Sequence, residues 1–304
     1  MPNCLSCGEK SDKVWTSTVD LEYKSTPDNY FYFSCKYCNS VFIDPIPLHK
    51  LNIIYPDNYY SYNIKNNFIS KIKDQIDKYK FRNILSKIEK SEISILDIGG
   101  GDGHKLDLCK SIDSRVSSTT IIDINNKVQS LAQSKGHYFI LSSVEDYNFA
   151  RKYDLVLAYN LIEHLNNPKH FLSKISGLLD DDGLLVIQTP NIDCVDAICF
   201  GRQYWAGLHC PRHWILFNET SLRNLISSVG LNTYFLTYIQ GASFVTMSIL
   251  FLLEKIGLTK ITSEIPADQN SLFPLLVFLT APVEIFRSFF FKTSQMLVLV
   301  KKYV

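Results

Sequence analysis

The sequence predicts an α/β protein built on a doubly wound parallel sheet. Short apolar runs typical of buried strands alternate with helical segments between residues 93 and 190. The first apolar run ends in a cluster of glycines, and acidic or polar residues follow several of the others. Because ligands of open α/β sheets lie at the carboxyl ends of the strands, this pattern predicts a binding site at one edge of the sheet.

The predicted elements alternate in the order that such a sheet requires. Strands are expected at residues 93–98, 117–123, 137–141, 153–159, 183–189, 231–237 and 295–301. Helices are expected at residues 105–112, 126–135 and 169–179. Residues 180–183 read Asp-Asp-Asp-Gly and are expected to turn the chain from the third of these helices into the next strand.

Composition limits the classes of protein to consider. The 304 residues are 46% hydrophobic and 20% charged, which predicts a packed core rather than disorder. The formal net charge of +1 provides no overall electrostatic attraction for nucleic acid, so no nucleic-acid partner is expected. The N-terminus carries no signal-peptide pattern, and paired cysteines indicate a reducing compartment. We therefore expect a cytoplasmic protein, with peripheral membrane association left open.

The glycine cluster follows the first predicted strand in the order Gly99-x-Gly101-x-Gly103. Glycine lacks a Cβ atom, so a ligand can lie directly against the backbone. A dinucleotide-binding loop would place its third glycine at position 104, where this chain has His104. The spacing therefore weakens a nicotinamide-dinucleotide interpretation.

Two acidic residues accompany this loop. Asp97 precedes it and can face a cationic ligand or brace the loop, while Asp123 ends the second strand and suits a ribose diol. This strand–glycine loop, with an acid ending the next strand, resembles the class I S-adenosylmethionine (SAM)-dependent methyltransferases. The resemblance implies a Rossmann-like seven-stranded sheet whose last two strands form an antiparallel hairpin. It also implies SAM as cofactor, bound by Asp97, the glycines and Asp123.

The resemblance extends to two further loops. After the third strand, Ser143 and Glu145 lie where the family contacts adenine, although Ser143 equally suits a helix N-cap. After the fourth strand, the segment from Asn160 to Leu165 resembles a Glu-His-Leu element, which implies a cofactor contact at Asn160 and a general base at His164. Related quinone methyltransferases hold a divalent metal here, and Asn160 replaces one of the acids that they use. A purely structural role for His164 remains the alternative.

An aromatic and basic loop spans residues 201–217. Aromatic rings suit sugar C–H groups or a sulfonium, and arginine suits phosphate or carboxylate. We expect Trp205, His209 and Arg212 to contact the acceptor and His213 to be a second candidate base. The alternative is a packed Ω-loop. The helix after this loop is expected to be capped by Asn218 or Thr220.

The N-terminal region contains two Cys-x-x-Cys pairs, formed by Cys4, Cys7, Cys35 and Cys38. Four thiolates complete a tetrahedral zinc shell and leave no open position, so we expect a structural Zn²⁺ site. Unliganded thiols or a redox pair are the alternatives. A zinc module followed by a tyrosine-rich linker resembles the methyltransferase branch that includes enzymes of deoxysugar and surface-polysaccharide biosynthesis.

Four regions are expected along the chain. They are a zinc-ribbon-like module (1–48), a linker and N-terminal helix (49–92), a SAM-binding core (93–240), and a hydrophobic helical insertion with the final core strand (241–304). Charged and proline residues interrupt the apolar stretches in 244–291, so a membrane-spanning helix is not expected. A lid, a dimer surface or a peripheral membrane contact all remain open, as does the oligomeric state.

The predicted function is SAM-dependent methyl transfer to a hydroxyl, or less favourably a carbon, of a small-molecule or glycan acceptor. The resemblance places such an enzyme in saccharide or lipid-linked glycan biosynthesis. Two alternatives remain: an RNA methyltransferase that docks through its zinc module, and a non-catalytic scaffold with a SAM-type fold.

Overall fold

The computed structural model describes residues 1–59 and 68–303. Residues 60–67 of the predicted linker therefore lie outside the described part. The strands are β1 Val14–Thr18, β2 Tyr30–Ser34, β3 Val41–Ile43, β4 Ile93–Ile98, β5 Val116–Asp123, β6 Tyr138–Leu141, β7 Tyr153–Tyr159, β8 Leu179–Pro190, β9 Ile215–Leu216, β10 Leu231–Ile239 and β11 Gln295–Lys302. The helices are α1 Leu51–Ile54, α2 Phe68–Leu85, α3 His104–Ile112, α4 Gln129–Ser134, α5 Pro168–Leu178, α6 Val195–Cys199, α7 Glu219–Ser227, α8 Ala242–Lys255 and α9 Phe273–Ser288.

Seven strands form the central sheet, in the order β10-β11-β8-β7-β4-β5-β6. The five strands from β8 to β6 in this order are parallel, and β11 runs antiparallel to both β8 and β10. The predicted α/β class, the seven-stranded Rossmann-like sheet and the final antiparallel hairpin are confirmed.

Helices cover both faces of the sheet because its central strands are apolar on both sides. Leu96 and Val156 pack in one hydrophobic cluster with residues of α5 and α7. Their neighbours Ile95 and Leu155 point the other way and pack with residues of α2 and α3. This two-faced burial is typical of parallel sheets and fixes the strand ends that carry the site.

One predicted turn is wrong. Helix α5 ends at Leu178, and the next residue, Leu179, is fully buried and already belongs to β8. Leu179 pairs with Tyr153 and Leu184 with Leu155, so residues 180–183 form a bulge within the strand. The burial of Leu179 in the sheet overrides the turn preference of the Asp-Asp-Asp-Gly segment.

A second, four-stranded sheet has the order β1-β2-β3-β9. Its first three strands come from the N-terminal region, but β9 lies between the core elements β8 and α7. Val41 pairs with Leu216 and Phe42 with Ile215. The N-terminal region is therefore joined to the 201–217 loop by backbone hydrogen bonds. The predicted boundary at residue 48 does not separate two independent sheets.

Helices α8 and α9 lie between β10 and β11 and pack against each other. They run antiparallel, since Gly241 contacts Glu284 and Thr246 contacts Thr280. Among the described residues, none of the helices has the length and apolar character needed to cross a bilayer.

Candidate active site

The glycine loop connects the end of β4 to the start of α3. Gly99, Gly101 and Gly103 have positive φ angles of 68°, 57° and 81°. A Cβ atom on Gly103 would lie 2.4 Å from Cδ2 of His137, so a larger residue does not fit at this position. The loop brings bare backbone to the carboxyl end of the sheet, where a ligand can approach closely.

Asp97, the penultimate residue of β4, is fully buried beside this loop. Neither of its carboxylate oxygens has a hydrogen-bond partner within the described part of the chain. Burial raises the pKa of Asp97 to about 6, although the positive charge of Lys105 opposes this shift. A buried carboxylate without donors is unfavourable, so the position suits a ligand that supplies a cation or N–H groups.

Asp123 ends the neighbouring strand β5 and is partly exposed. Its Oδ2 atom accepts a hydrogen bond from the backbone N–H of Gly101 at 2.9 Å, and Oδ1 accepts one from Asn125 at 2.8 Å. These bonds fix the carboxylate beside the glycine loop. Each oxygen retains acceptor capacity for a hydroxyl donor.

The loop after β6 holds the two predicted adenine contacts. The Ser143 hydroxyl donates to Asp146 at 2.7 Å and accepts from the N–H of Asp146 at 3.2 Å, which is a local capping arrangement. The backbone carbonyl of Glu145 accepts a hydrogen bond from Lys174 at 2.5 Å. Ser143 therefore closes a turn, and residues 144–152 after it form turn, bend and loop rather than the helix that an N-cap would begin.

Asn160 follows β7 with a φ of 48°, a left-handed conformation that asparagine tolerates better than most residues. Its N–H donates to the carbonyl of Gln188 at 2.8 Å. Leu161, the next residue, lies 3.7 Å from where a Cβ atom of Gly99 would be. The loops after β4 and β7 therefore adjoin, as expected for neighbouring parallel strands.

Three imidazole rings form what we call the histidine cluster: His164, His209 and His213. The ring centroids of His164 and His213 lie 4.7 Å apart, and those of His209 and His213 lie 4.8 Å apart. Nδ1 of His164 lies 2.9 Å from the carbonyl oxygen of Arg212, to which it donates, so Nε2 carries the lone pair. Burial lowers the pKa of His164 to about 3 and that of His213 well below its usual value, so both are neutral at pH 7.

Glu163 is fully buried beside the cluster. Its Oε2 atom accepts a hydrogen bond from Thr189 at 3.0 Å, and Oε1 lies 3.9 Å from Nε2 of His213. Burial raises the pKa of Glu163 to about 8. Since Nδ1 of His213 donates to the Gly207 carbonyl at 2.9 Å, its Nε2 is an acceptor. Glu163, His164 and His213 offer three ligand atoms within 4.8 Å of one another.

His209 lies between two buried partners from the N-terminal half of the chain. Its Nδ1 atom is 2.5 Å from Oε2 of Glu22, and its Nε2 atom is 3.1 Å from the hydroxyl of Tyr59. The side chains of His209 and Glu22 are each only 3% exposed. The geometry matches a carboxylate that orients a histidine, whose second nitrogen accepts a proton from a hydroxyl group.

Two of the predicted acceptor contacts are buried inside the fold. Arg212 is completely buried and donates two hydrogen bonds to the carboxylate of Asp20, at 3.2 and 2.8 Å, with its guanidinium 4.4 Å from the centre of the Tyr23 ring. Trp205 is 1% exposed, and its indole N–H donates to Ser294 at 3.1 Å. Both side chains are used inside the fold, which favours the packed-loop alternative for them.

The sequence interpretation missed the partners of Arg212 and of the histidine cluster. They come from the N-terminal region and the linker: Asp20, Glu22, Tyr55 and Tyr59. The tyrosine-rich linker was the only sequence signal, and no pattern marked the two acids, because their partners are 187 and 192 residues away.

The four paired cysteines converge as predicted. Sγ of Cys4 lies 3.6 Å from Sγ of Cys38, and Sγ of Cys7 lies 3.6 Å from that of Cys35. All four sulfur atoms lie within 4.8 Å of one another. A tetrahedron with metal–sulfur bonds of ~2.3 Å has sulfur–sulfur edges of about 3.8 Å, so the arrangement fits a zinc ion.

Comparison with known proteins agrees with the fold. The family described as "Methyltransferase domain" matches residues 69–234. The ubiquinone biosynthesis O-methyltransferase of Bradyrhizobium sp. (strain ORS 278) is 26% identical over 148 residues, which are 48% of this chain and 53% of the relative. The (S)-coclaurine N-methyltransferase of Papaver somniferum is 31% identical over 104 residues, 31% of this chain and 29% of the relative.

Among solved structures, a Galdieria sulphuraria protein described as a sarcosine dimethylglycine methyltransferase superposes with a TM-score of 0.54. The match covers 77% of this chain and 88% of that chain at 13% identity, and it therefore supports the fold alone. The chain spans about half the length of the ubiquinone-pathway relatives that it matches. Because the family match covers more than half of the chain, this protein belongs to the methyltransferase-domain family and carries a class I SAM-dependent methyltransferase domain.

Proposed function

We propose that this protein transfers a methyl group from SAM to a hydroxyl group of a small-molecule acceptor. The observation that carries the proposal is the buried carboxylate of Asp97, which lacks donors within the described structure and lies beside a glycine loop fixed by Asp123. SAM supplies a methyl group on a positively charged sulfonium and carries an ammonium group and a ribose diol. These groups are complementary to Asp97, to the bare loop backbone and to Asp123.

The residues of the chain would act mainly by positioning. Asp97 would accept hydrogen bonds from the ammonium end, Gly99–Gly103 would line the amino-acid portion, and Asp123 would accept the ribose hydroxyls. Asn160, together with the Ser143–Glu145 turn, would border the adenosyl portion. Holding donor and acceptor in line provides the greater part of the rate, and no covalent enzyme intermediate is required.

The acceptor proton would pass to the histidine cluster. His164 and His213 are neutral, and each has its Nδ1 fixed by a carbonyl, so each presents Nε2 as an acceptor. Their low pKa values make them weak bases on their own. His209 is oriented by the Glu22 carboxylate, and its Nε2 atom lies 3.1 Å from the Tyr59 hydroxyl; in its neutral form it would take a proton from an acceptor hydroxyl that replaces Tyr59.

A metal-assisted version of the same reaction is a second candidate. The Oε1 atom of Glu163 has no hydrogen-bond partner within the described residues, and it lies 3.9 Å from Nε2 of His213. Glu163, His164 and His213 would hold a divalent cation, whose charge would lower the pKa of an acceptor hydroxyl. Electron paramagnetic resonance of added Mn²⁺ tests this, since binding should be lost in Glu163→Gln.

We also propose that Cys4, Cys7, Cys35 and Cys38 hold a structural zinc ion. We further propose that the acceptor is a molecule of saccharide or lipid-linked glycan biosynthesis. The relatives' names point to O- and N-methylation of small molecules without choosing among acceptors. RNA methylation is disfavoured because the net charge is only +1.

Isothermal titration with SAM is the direct test of cofactor binding. Asp97→Asn and Asp123→Asn should each weaken SAM binding at least ~10-fold, because each removes a charge-assisted interaction. Asp181→Asn, at a side chain that is 88% exposed, is the matched control and should bind as the wild type does. If millimolar SAM produced no heat, the non-catalytic scaffold would be the correct interpretation.

Release of S-adenosylhomocysteine with soluble catechols, nucleotide sugars and a short RNA then identifies the acceptor class. His164→Gln, His209→Gln and His213→Gln, assayed with the best acceptor, assign the base. The general base is the histidine whose replacement lowers kcat more than ~10-fold and leaves the affinity for SAM unchanged. If none of the three does so, the cluster is not the proton acceptor.

A further inference from the structure

Helix α9 is oriented opposite to an ordinary surface helix. Its polar side chains point into the protein. The hydroxyl of Thr280 lies 2.9 Å from that of Thr246, Glu284 is 1% exposed, and Arg287 pairs with Asp196 at 2.9 Å. In an ordinary surface helix these are the residues that would face water.

The solvent side of α9 and the turn after it is apolar instead. Nine apolar side chains between residues 275 and 291 are at least 37% exposed, and five of them are phenylalanines that are 58–75% exposed. They are Leu275, Phe278, Leu279, Val283, Ile285, Phe286, Phe289, Phe290 and Phe291. We call this set the α9 apolar face.

The size of this face sets it apart from ordinary surface residues. Since an aromatic side chain can bury ~150–250 Å², the face presents on the order of 1,000 Å² of apolar surface. The largest apolar patch of a typical monomer is about 300–600 Å². A stable interface between proteins buries about 800 Å² on each partner. The area is therefore more than a monomer normally leaves in water and enough for one side of a dimer.

We infer that the α9 apolar face is the interface of a symmetric dimer of this protein. The spacing supports a second copy as the occupant: Leu275, Leu279, Pro282, Phe286 and Phe289 follow one another at intervals of four and three residues, the pattern of a helix–helix seam. An antiparallel pairing about Pro282 would place Leu275 against Phe289 across the two-fold axis. The face carries no charge, so two copies meet without repulsion.

The neighbouring cations do not favour a lipid surface as the occupant. Arg287 is already paired with Asp196 and Glu284, and Lys292 is paired with Asp193 at 2.7 Å. Binding of an amphipathic helix to an anionic bilayer draws on basic residues at the edge of its apolar face. Here the two basic residues beside the seam are satisfied within the protein.

Sedimentation velocity of the full chain between 1 and 100 µM tests the inference. The wild type should sediment as a dimer, and the double variant Leu279→Glu/Phe286→Glu should raise the dimer dissociation constant at least ~100-fold. Tyr79→Glu is the matched control, because Tyr79 is 66% exposed on α2 and Phe286 is 64% exposed. Titration with SAM and a thermal melt verify that each variant is folded.

Oxidative crosslinking provides a second test that does not depend on a destabilising charge. Pro282→Cys should form a disulfide-linked dimer, above the background set by the wild type, whose Cys7 and Cys199 are exposed. Tyr79→Cys should not exceed that background. A wild-type protein that stays monomeric at 100 µM overturns the inference, whether or not it floats with phosphatidylcholine–phosphatidylglycerol vesicles. A dimer that persists in the double variant overturns it as well.

Discussion

The buried ion pair between Asp20 and Arg212 offers the most decisive test of how the loop of residues 201–217 is held in place. Both side chains are completely buried, and Asp20 accepts two hydrogen bonds from the guanidinium. Asp20→Ala would leave the Arg212 cation in the interior without its counter-charge. Removing one partner of a buried pair costs about 3–5 kcal/mol. For a chain of this size, that loss should lower Tm by roughly 6–15 °C.

Differential scanning calorimetry at pH 7 is the assay, and Asp28→Ala is the control. Asp28 belongs to the same region and pairs with Lys50, but that pair is partly exposed. Water screens a pair of this kind, so the control should lower Tm much less than Asp20→Ala does. Equal losses in the two variants would show that Arg212 finds other compensation and would refute the reasoning.

The pH dependence of the same pair has a definite sign. Burial alone would raise the pKa of Asp20, but the charge of Arg212, together with hydrogen bonds from Arg212, Ser25 and the backbone N–H of Tyr23, outweighs burial and holds that pKa below its usual value. A carboxyl whose pKa is lowered by folding stabilises the protein above the pKa of the unfolded chain, about 3.9. The difference in Tm between wild type and Asp20→Ala should therefore be constant from pH 5 to 8 and shrink only in stronger acid.

Three further outcomes follow from the site. Cys35→Ser should reduce bound zinc, measured by elemental analysis, from about one ion per chain to well below half, whereas Cys199→Ser should retain it; equal metal in both would remove the zinc assignment. Glu163→Gln should raise Tm at pH 8 relative to wild type in metal-free buffer and lose that advantage near pH 5. A carboxyl whose pKa rises to about 8 on folding destabilises the protein increasingly as the pH rises above the pKa of that carboxyl in the unfolded chain. An equal Tm difference between the two proteins at both pH values would contradict this. Glu22→Gln should lower kcat at least ~10-fold without changing the affinity for SAM, as measured by S-adenosylhomocysteine release and titration; unchanged turnover would exclude the Glu22–His209 pair from proton transfer.

The positions of the proposed cofactor residues could be predicted because their geometry is local. Asp97, the glycines and Asp123 lie within or directly after two adjacent strands, and the hydrophobic pattern alone places those strands side by side. Residues at the ends of strands that are consecutive in the sequence therefore lie close together in the structure. Asn160 followed for the same reason, since β7 is the other neighbour of β4.

The acceptor side could not be predicted in the same way. The loop that contains Trp205 and Arg212 has the amino-acid composition of a ligand-binding loop, and composition does not reveal which side chains are buried. The partner of Arg212 lies 192 residues earlier, on the small sheet. A long-range ion pair leaves no periodic signal in the sequence, so an arginine that holds the fold together resembles one that binds a phosphate.

The N-terminal region therefore supports the proposed acceptor site in addition to carrying the proposed zinc ligands. It supplies β3 to pair with β9, Asp20 to hold Arg212, and Glu22 to orient His209. The carbonyl of Arg212 in turn fixes His164, which follows β7 of the central sheet. Any change that loosens the small sheet should thus disturb the histidine cluster, while the glycine loop rests on strands β4 and β5 and is unaffected. The histidines of the proposed acceptor site lie within the family match, whereas Asp20 and Glu22, which hold Arg212 and His209, lie outside it.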